Sequence, residues 1–259
     1  MNLFDSHCHY NDEKFDEDRN EIIAQNLKEI SNAIVSGYNI KSSKKAVEIA
    51  NQYKELYAIV GISPNDVDDC QRDVSFGNLK FVKKHVPLAL AEIEELAQNE
   101  KVVGIGEIGL DYYWNTDNKE LQKEIFIKQI ELANKLDLPI VIHTREAVMD
   151  TIEILKNNPV NKKGVFHCCP MNVELIKEAV KLGFYISFSG NITFKNAKNA
   201  EKCIVAVPIE KQLIETDSPY MTPEPYRGKR NDPRKSNICC TKNSRSTRNV
   251  TRTSGKSNL

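Results

Sequence analysis

Five apolar, strand-like runs in this chain each end at residues that bind divalent metals. Four of the five histidines follow such runs, and carboxylates follow the others. Imidazole and carboxylate groups gathered from several strand ends are the ligands of metal centres that activate water. The residue types and their positions therefore predict a metal-dependent hydrolase. The candidate metal ligands are His7, His9, Glu107, His143, His167 and Asp217.

The first and second ligand positions have favourable local patterns. His7 and His9 are two residues apart at the end of a strand, so their side chains share one face and can bind one ion. Glu107 follows two glycines, at 104 and 106, that permit close backbone approach. Its two carboxylate oxygens would suit a ligand shared by two ions. A carboxylate at the start of a helix is the alternative interpretation of Glu107.

The third candidate position, at His143, has a basic residue close by in the sequence. His143 and Arg145 lie two apart after a fully apolar strand and so share a face. A guanidinium beside a metal ligand favours an anionic substrate, because its fork binds phosphate bidentately.

The last two positions complete the set. His167 precedes Cys168 and Cys169, which point to opposite faces of a strand and are interpreted as buried side chains rather than metal ligands. Asp217 can bind an ion and take a proton from water, so we expect Asp217 and Glu107 to be catalytic.

Strand-like and helix-like segments alternate from end to end, and this predicts parallel βαβ units and a (β/α)₈ TIM-like barrel. The ligands follow strands, and barrel active sites are built at the carboxyl ends of the strands. The predicted strands are 2–6, 32–37, 57–62, 101–107, 139–143, 163–167, 184–188 and 211–216. The clearest predicted helices are 42–55, 79–98, 118–136, 146–157, 172–182 and 194–206.

Five motifs together resemble the TatD-type metal-dependent deoxyribonucleases of the amidohydrolase superfamily, over residues 1–234 and in family order. The motifs are Asp5-Ser-His-Cys-His9, Gly106-Glu-Ile-Gly-Leu-Asp-Tyr112, Pro139-Ile-Val-Ile-His-Thr-Arg145, Val165-Phe-His-Cys168, and Glu215-Thr-Asp-Ser-Pro-Tyr220 with Pro223-Glu-Pro-Tyr-Arg-Gly-Lys-Arg230. The resemblance implies a two-metal barrel hydrolase that cuts DNA phosphodiester bonds, typically from the 3′ end.

By position, the resemblance implies one divalent ion on His7, His9, Glu107 and Asp217, and a second on Glu107, His143 and His167. The identity of the ions, Mg, Mn or Zn, stays open. Arg145, with Arg227 or Arg230, is expected to hold the DNA. The chain departs from the family at Ser63, where a histidine is usual; serine can hydrogen-bond a phosphate, but it lacks the charge and metal affinity of imidazole.

The charge composition of residues 1–234 differs from that of residues 235–259, the C-terminal tail. Residues 1–234 carry 30 Lys and Arg against 36 Asp and Glu, whereas residues 235–259 carry six basic residues and no acidic one. The chain has zero formal charge and so lacks the global basic field of nonspecific nucleic-acid binders. With scattered cysteines and no long apolar run, it is expected to be a cytoplasmic monomer without a membrane span.

The tail from 235 to 259 loses apolar periodicity where a barrel needs its final helix. Read one nucleotide later from Lys235, codons compatible with this stretch encode an amphipathic helix. We therefore hypothesise a frameshift, which leaves a non-native or disordered tail and a barrel without its last helix. The alternative is a basic disordered arm that contacts DNA.

Three functions compete. The leading one is a DNA phosphodiesterase. The second is an amidohydrolase acting on a small amide, lactone or ester, a class that often has a carboxylated lysine where this chain has Glu107. The third is an inactive remnant that keeps the ligands but not a stable barrel.

Overall fold

The computed structural model describes residues 3–71 and 86–244, and in this part of the chain strands and helices alternate. The strands are β1 (Phe4–Cys8), β2 (Asn32–Ser36), β3 (Leu56–Val60), β4 (Val102–Asp111), β5 (Ile140–Arg145), β6 (Gly164–Phe166), β7 (Tyr185–Phe188) and β8 (Gln212–Ile214). The helices are α1 (Arg19–Asn26), α2 (Ile40–Gln52), α3 (Val86–Leu96), α4 (Lys119–Leu136), α5 (Val148–Asn157), α6 (Val173–Lys181) and α7 (Ala200–Val205). Residues 236–244 are also helical.

The strands form one sheet in the order β1 to β8. The segment after β8 returns to β1, where Asp217 N donates to His7 O over 2.9 Å and His9 N donates to Ser218 O over 2.7 Å. The sheet thus comes back to its first strand in a nearly closed barrel, and a described helix follows each strand. The chain is therefore a (β/α)₈ barrel of the TIM type, as the sequence predicts.

Two compact units make up the chain. The central unit is Val35–Val165, and the terminal unit combines Met1–Ile34 with Phe166–Leu259. The organisation of residues 1–234 as a single domain stays a prediction.

In the central unit, β4 and β5 are parallel and place Gly109 opposite His143 and Asp111 opposite Arg145. A Cβ on Gly109 would lie 2.0 Å from the carbonyl oxygen of His143, so only glycine allows this approach. Helix α4 packs with Phe126, Ile130 and Ala133 buried along one face. The spacing of four and then three residues is that of an amphipathic helix.

Two buried glutamines on the same helix clamp the strand ends of the central unit. Gln122 accepts from the backbone N–H of Asp111 at 2.9 Å and donates to its carbonyl at 3.0 Å. Gln129 does the same at Ile62, at 2.8 and 2.9 Å. Seven residues apart, the two side chains share a helical face and satisfy backbone groups where strand pairing ends.

In the terminal unit, Phe166 and Phe184 meet edge to face at 5.5 Å within the core. The helix at 236–244 turns Ser236, Cys239 and Asn243 inward. Their spacing of three and four residues is helical although only small or polar side chains are buried. Residues 236–244 are thus helical, whereas the frameshift and the non-native tail stay predictions. Residues 245–259 lie outside the described residues.

Several elements differ from the prediction. Strand β4 continues to Asp111, so Glu107 lies inside a strand rather than at its end. Helix α1 was not predicted. The expected helix over 194–206 is a 3₁₀ turn at Gly190–Thr193 followed by the short α7. Of the helix predicted over 79–98, residues 79–85 lie outside the described part.

No helix of the described residues has both the length and the apolar character of a membrane span. All seven cysteines are free thiols.

Candidate metal centre

Three of the predicted ligands converge in the terminal unit. His7 lies on β1, His9 follows it, and Asp217 follows β8. The Nε2 atoms of the two histidines are 3.3 Å apart, and Oδ1 of Asp217 lies 3.2 Å from His9 Nε2 and 3.8 Å from His7 Nε2. All three side chains are buried. The structure brings these three predicted ligands together, and their binding of an ion stays a prediction.

The donor set fits a divalent metal ion. Nitrogen and oxygen ligands at about 2.0–2.2 Å from one ion lie roughly 3 to 3.6 Å from each other. The spacings of 3.2 and 3.3 Å fall in this range, and that of 3.8 Å lies just beyond it. Two imidazoles and one carboxylate are also the borderline donors that Zn²⁺, Mn²⁺ and related ions accept.

The Asp217 carboxylate is ionised in this setting. Burial alone would raise its pKa, but the hydrogen bond with His9 and the nearby imidazoles of His9, His167 and His7 outweigh burial and hold the pKa below its usual value. The residue has a positive φ of 54°. Left-handed backbone at a non-glycine residue is uncommon and clusters at functional positions.

The buried carboxylate of Asp5 joins the backbone segments that carry His7 and Asp217. Its Oδ1 accepts from the backbone N–H of His7 at 3.2 Å and of Thr216 at 3.0 Å, and its Oδ2 accepts from Thr216 Oγ1 at 2.6 Å. Burial raises the pKa of Asp5 to about 8, against these hydrogen bonds. Asp5 thus ties the first ligand strand to the turn that carries Asp217.

A second group of the terminal unit that could hold a metal ion contains His167, His7 and Glu215. The rings of His7 and His167 stack at 4.1 Å. Glu215 Oε1 lies 3.7 Å from His167 Nδ1 and accepts from the backbone N–H of Cys168 at 2.5 Å. Its other oxygen is buried with no hydrogen-bond partner among the described residues. Glu215 therefore lies beside the imidazole of His167 and holds the backbone of Cys168.

Two cysteines follow His167. Cys169 is buried and Cys168 is partly buried. Burial raises the pKa of both thiols. Their interpretation as buried side chains rather than metal ligands stays a prediction.

The central unit contains the other two predicted ligands. His143 Nδ1 lies 3.9 Å from Glu107 Oε2, and His143 Nε2 lies 2.9 Å from Asp111 Oδ2. Burial would raise the pKa of Asp111, but the contact with His143 and the N–H groups of Tyr113 and Trp114 keep it below its usual value. An ionised Asp111 makes Nε2 of His143 the protonated nitrogen and directs the Nδ1 lone pair towards Glu107.

The predicted substrate residues of the central unit have different surroundings. Arg145 is half-buried with its guanidinium 3.5 Å above the ring of Tyr113. Ser63 is buried in a turn, where its hydroxyl donates to Asp66 at 2.6 Å and accepts from Asn65 N at 3.2 Å. Turn formation accounts for both of these hydrogen bonds of Ser63.

The predicted arginines of the terminal unit are engaged within the protein. Arg227 lies 3.9 Å above Phe194 and donates to the carbonyl of Thr222. Arg230 places both guanidinium NH₂ groups on Asp18 and so holds the pKa of that carboxyl below its usual value. The fork of Arg230 is therefore occupied by Asp18, and its role in substrate binding stays a prediction.

Sequence reasoning missed Asp5, Asp111 and Glu215 as functional residues although all three lie inside the recognised motifs. A signal was available for Asp111, which follows Glu107 by four residues and precedes three aromatic residues. Their roles depend on hydrogen bonds to residues distant in sequence, which periodicity does not reveal.

The model of the TatD-related DNase family matches residues 4–249. The chain belongs to this family. Among relatives of the TatD family, the metal-dependent hydrolase YabD of Bacillus subtilis is 40% identical over 89% of this chain and 86% of its own length. YcfH of Escherichia coli, described in the same words, is 34% identical over 90% of this chain and 83% of its length. Both are described as uncharacterised.

Solved structures agree with the TatD assignment. The TatD homologue YjjV of Escherichia coli superposes with a TM-score of 0.82 at 25% identity, covering 94% of this chain and 90% of its own. A TatD family hydrolase of Entamoeba histolytica has the same fold, with a TM-score of 0.80 at 23% identity over 96% and 92% of the two chains. The ligand groups described above fit the class of metal-dependent hydrolase named for the sequence relatives.

Proposed function

We propose that this TatD family member is a deoxyribonuclease that hydrolyses DNA phosphodiester bonds with two divalent cations. The observation that carries the proposal is the buried group of His7 Nε2, His9 Nε2 and Asp217 Oδ1, with spacings that suit metal ligands. The family model, which is that of TatD-related DNases, supports the choice of substrate.

The proposed ligands are His7, His9, His167 and Asp217, with Glu107 and His143. Divalent cations bound by these residues supply Lewis acidity, which makes water a nucleophile near neutral pH and offsets the charge of a phosphodiester. The sharing of Glu107 between two ions stays a prediction from the family resemblance.

The protein residues act around this chemistry. Asp217, ionised at neutral pH, accepts a proton from the attacking water at its carboxylate. Asp111 keeps the Nδ1 lone pair of His143 available by accepting from Nε2. Arg145 follows His143 by two residues on β5 and contributes a positive charge for the phosphate.

Metal reconstitution tests the proposal. Purified protein is stripped with a chelator, resupplied with Mg²⁺, Mn²⁺ or Zn²⁺ in turn, and assayed on end-labelled single-stranded DNA. Asp217→Asn should lose cleavage and metal binding, whereas Glu174→Gln, at an exposed carboxylate on α6, should keep both. Hydrolysis of small esters without DNA cleavage would make the amidohydrolase interpretation correct instead.

A further inference from the structure

Two exposed aromatic residues, Tyr113 and Trp114, follow β4 in the central unit and have no part in the proposed chemistry. Tyr113 is 49% exposed and Trp114 is 68% exposed. Their rings meet edge to face at 4.8 Å with an interplanar angle of 86°. Large aromatic surfaces at this exposure are not explained by core packing, because most of the indole remains in water.

A guanidinium stacks on the same pair. The central carbon of Arg145 lies 3.5 Å from the centroid of Tyr113 and 5.4 Å from that of Trp114. Arginine stacked on an aromatic face keeps its outer edge available for anions. The cluster therefore offers both a cation and an exposed π surface.

Asp111 connects this cluster to the metal ligand His143. Its Oδ1 accepts from the backbone N–H groups of Tyr113 at 2.9 Å and Trp114 at 3.2 Å, while its Oδ2 contacts His143 Nε2. Arg145 is held to the same turn, since its carbonyl accepts from Tyr112 N at 2.9 Å. One buried carboxylate thus fixes the aromatic pair relative to a residue proposed to bind the catalytic ion.

We propose that Trp114 and Tyr113 form a stacking platform for a nucleobase of single-stranded DNA, with Arg145 on the adjacent phosphate. The inference rests on the proposed nuclease function and specifies how its substrate is held. Base stacking on aromatic side chains is tolerant of sequence and combines with backbone charge contacts in single-strand binding. The platform would therefore bind a base of any identity and would not read sequence.

Two other exposed aromatic rings among the described residues, those of Tyr220 and Tyr185, lack this arrangement. Tyr220 lies near His9, but its hydroxyl donates to Asp12 at 2.6 Å and Lys14 covers its ring at 4.2 Å. Tyr185, 38% exposed, has Lys211 over its ring at 4.2 Å but begins β7, at the amino end of a strand. Tyr185 is therefore a matched control: an exposed aromatic ring with a cation and no metal ligand beside it.

The test compares two substrates that share a backbone but differ in bases. An oligothymidylate and a fully abasic oligomer of equal length are cleaved by wild type, Trp114→Ala, Tyr113→Ala and Tyr185→Ala. Wild type should favour the base-containing oligomer in kcat/KM. In Trp114→Ala this preference should fall by about fivefold to a hundredfold, the range of alanine substitutions at stacking positions. Trp114→Phe should retain part of it, and Tyr185→Ala all of it.

Tryptophan fluorescence gives an independent measurement, because Trp114 is the only tryptophan of the chain. Oligothymidylate should quench and shift its emission in the metal-free protein, whereas the abasic oligomer should not.

The outcomes separate the two proposals. If Trp114→Ala cleaves both oligomers and prefers oligothymidylate as strongly as wild type does, the platform is overturned. The nuclease function then still stands. Absence of DNA cleavage under every metal overturns the nuclease function; base-dependent quenching would then still support the platform, and unchanged emission would overturn it as well. A loss of stability in Trp114→Ala with unchanged preference shows that the pair only stiffens its turn, and this also overturns the platform.

Discussion

Asp111 and His143 are joined by a 2.9 Å contact between Oδ2 and Nε2, and this contact leaves Nδ1 of His143 on the side of Glu107. A buried carboxylate that accepts from one ring nitrogen of a histidine fixes the tautomer and the orientation of that ring, as is common for histidines that bind metal ions. Gln122 holds the backbone of Asp111 in turn. The position of one proposed ligand thus depends on a chain of contacts that begins on helix α4.

Asp111→Asn should weaken metal binding while leaving the protein folded. The amide can still accept from Tyr113 and Trp114, but it no longer offers a charged acceptor to His143. We expect metal affinity to fall by about tenfold to a hundredfold, as for other residues that orient metal ligands. Calorimetric metal titration measures this. Asp150→Asn, which removes a carboxylate bound by Tyr112 and Lys123, should bind metal like wild type; equal losses in both variants would contradict the specific role of Asp111.

Gln122→Ala should destabilise the fold. The change leaves the buried N–H and C=O of Asp111 without their side-chain partners, which costs roughly 2–4 kcal/mol for two such groups. Urea unfolding of the metal-free protein gives the free energy directly. Gln25→Ala, where the side chain donates only to the exposed Glu21, is the control. A midpoint unchanged from wild type would show that the clamp contributes nothing.

Removal of metal should lower thermal stability. An ion that binds only the folded state at about a hundred times its Kd stabilises by roughly 2.7 kcal/mol. A chelator should therefore reduce Tm in wild type by several degrees and should have little effect in a His9→Asn, Asp217→Asn double variant. Differential scanning calorimetry compares the four samples. Identical chelator sensitivity in the variant would mean that the stabilising ion binds elsewhere.

Arg145 and Arg230 should differ in their effect on substrate binding. Loss of a charge-assisted contact at Arg145→Ala should cost about 1.5–3 kcal/mol, or roughly tenfold to a hundredfold in KM for DNA. Arg230→Ala should leave KM unchanged, because its guanidinium binds Asp18. Initial rates over a range of DNA concentrations separate the two. A raised KM in Arg230→Ala alone would reverse the assignment.

Ser236→Ala should stabilise the protein slightly. The hydroxyl of Ser236 is buried in the helix at 236–244 and has no hydrogen-bond partner among the described residues. Its removal, together with the better helix propensity of alanine, should add about 0.5–1.5 kcal/mol to the free energy of unfolding. Thr241→Ala, whose hydroxyl donates to Asn237 O at 2.8 Å on the exposed side, should not give this gain. A destabilised Ser236→Ala would show that the hydroxyl is hydrogen-bonded in solution.

The sequence by itself determined the barrel, its strand order and the identity of the strand-end histidines. Apolar runs separated by amphipathic segments have few folded solutions, and the carboxyl ends of parallel strands are where polar residues can gather. The prediction was least accurate where tertiary contacts override local pattern. Strand β4 extends beyond Glu107 because pairing with β5 continues to Asp111, and residues 236–244 become helical although their buried face is polar.

Only the tertiary structure decided the partners of these residues. In the folded chain Arg230 binds Asp18, and Asp5 accepts a hydrogen bond from Thr216. Asp111 contacts both His143 and the backbone of the exposed Trp114. A side chain with several hydrogen-bonding options chooses among groups that are distant in sequence, and that choice depends on distances which only the folded backbone sets. Residue type thus determined which chemical groups are available, and packing decided which of them contact one another.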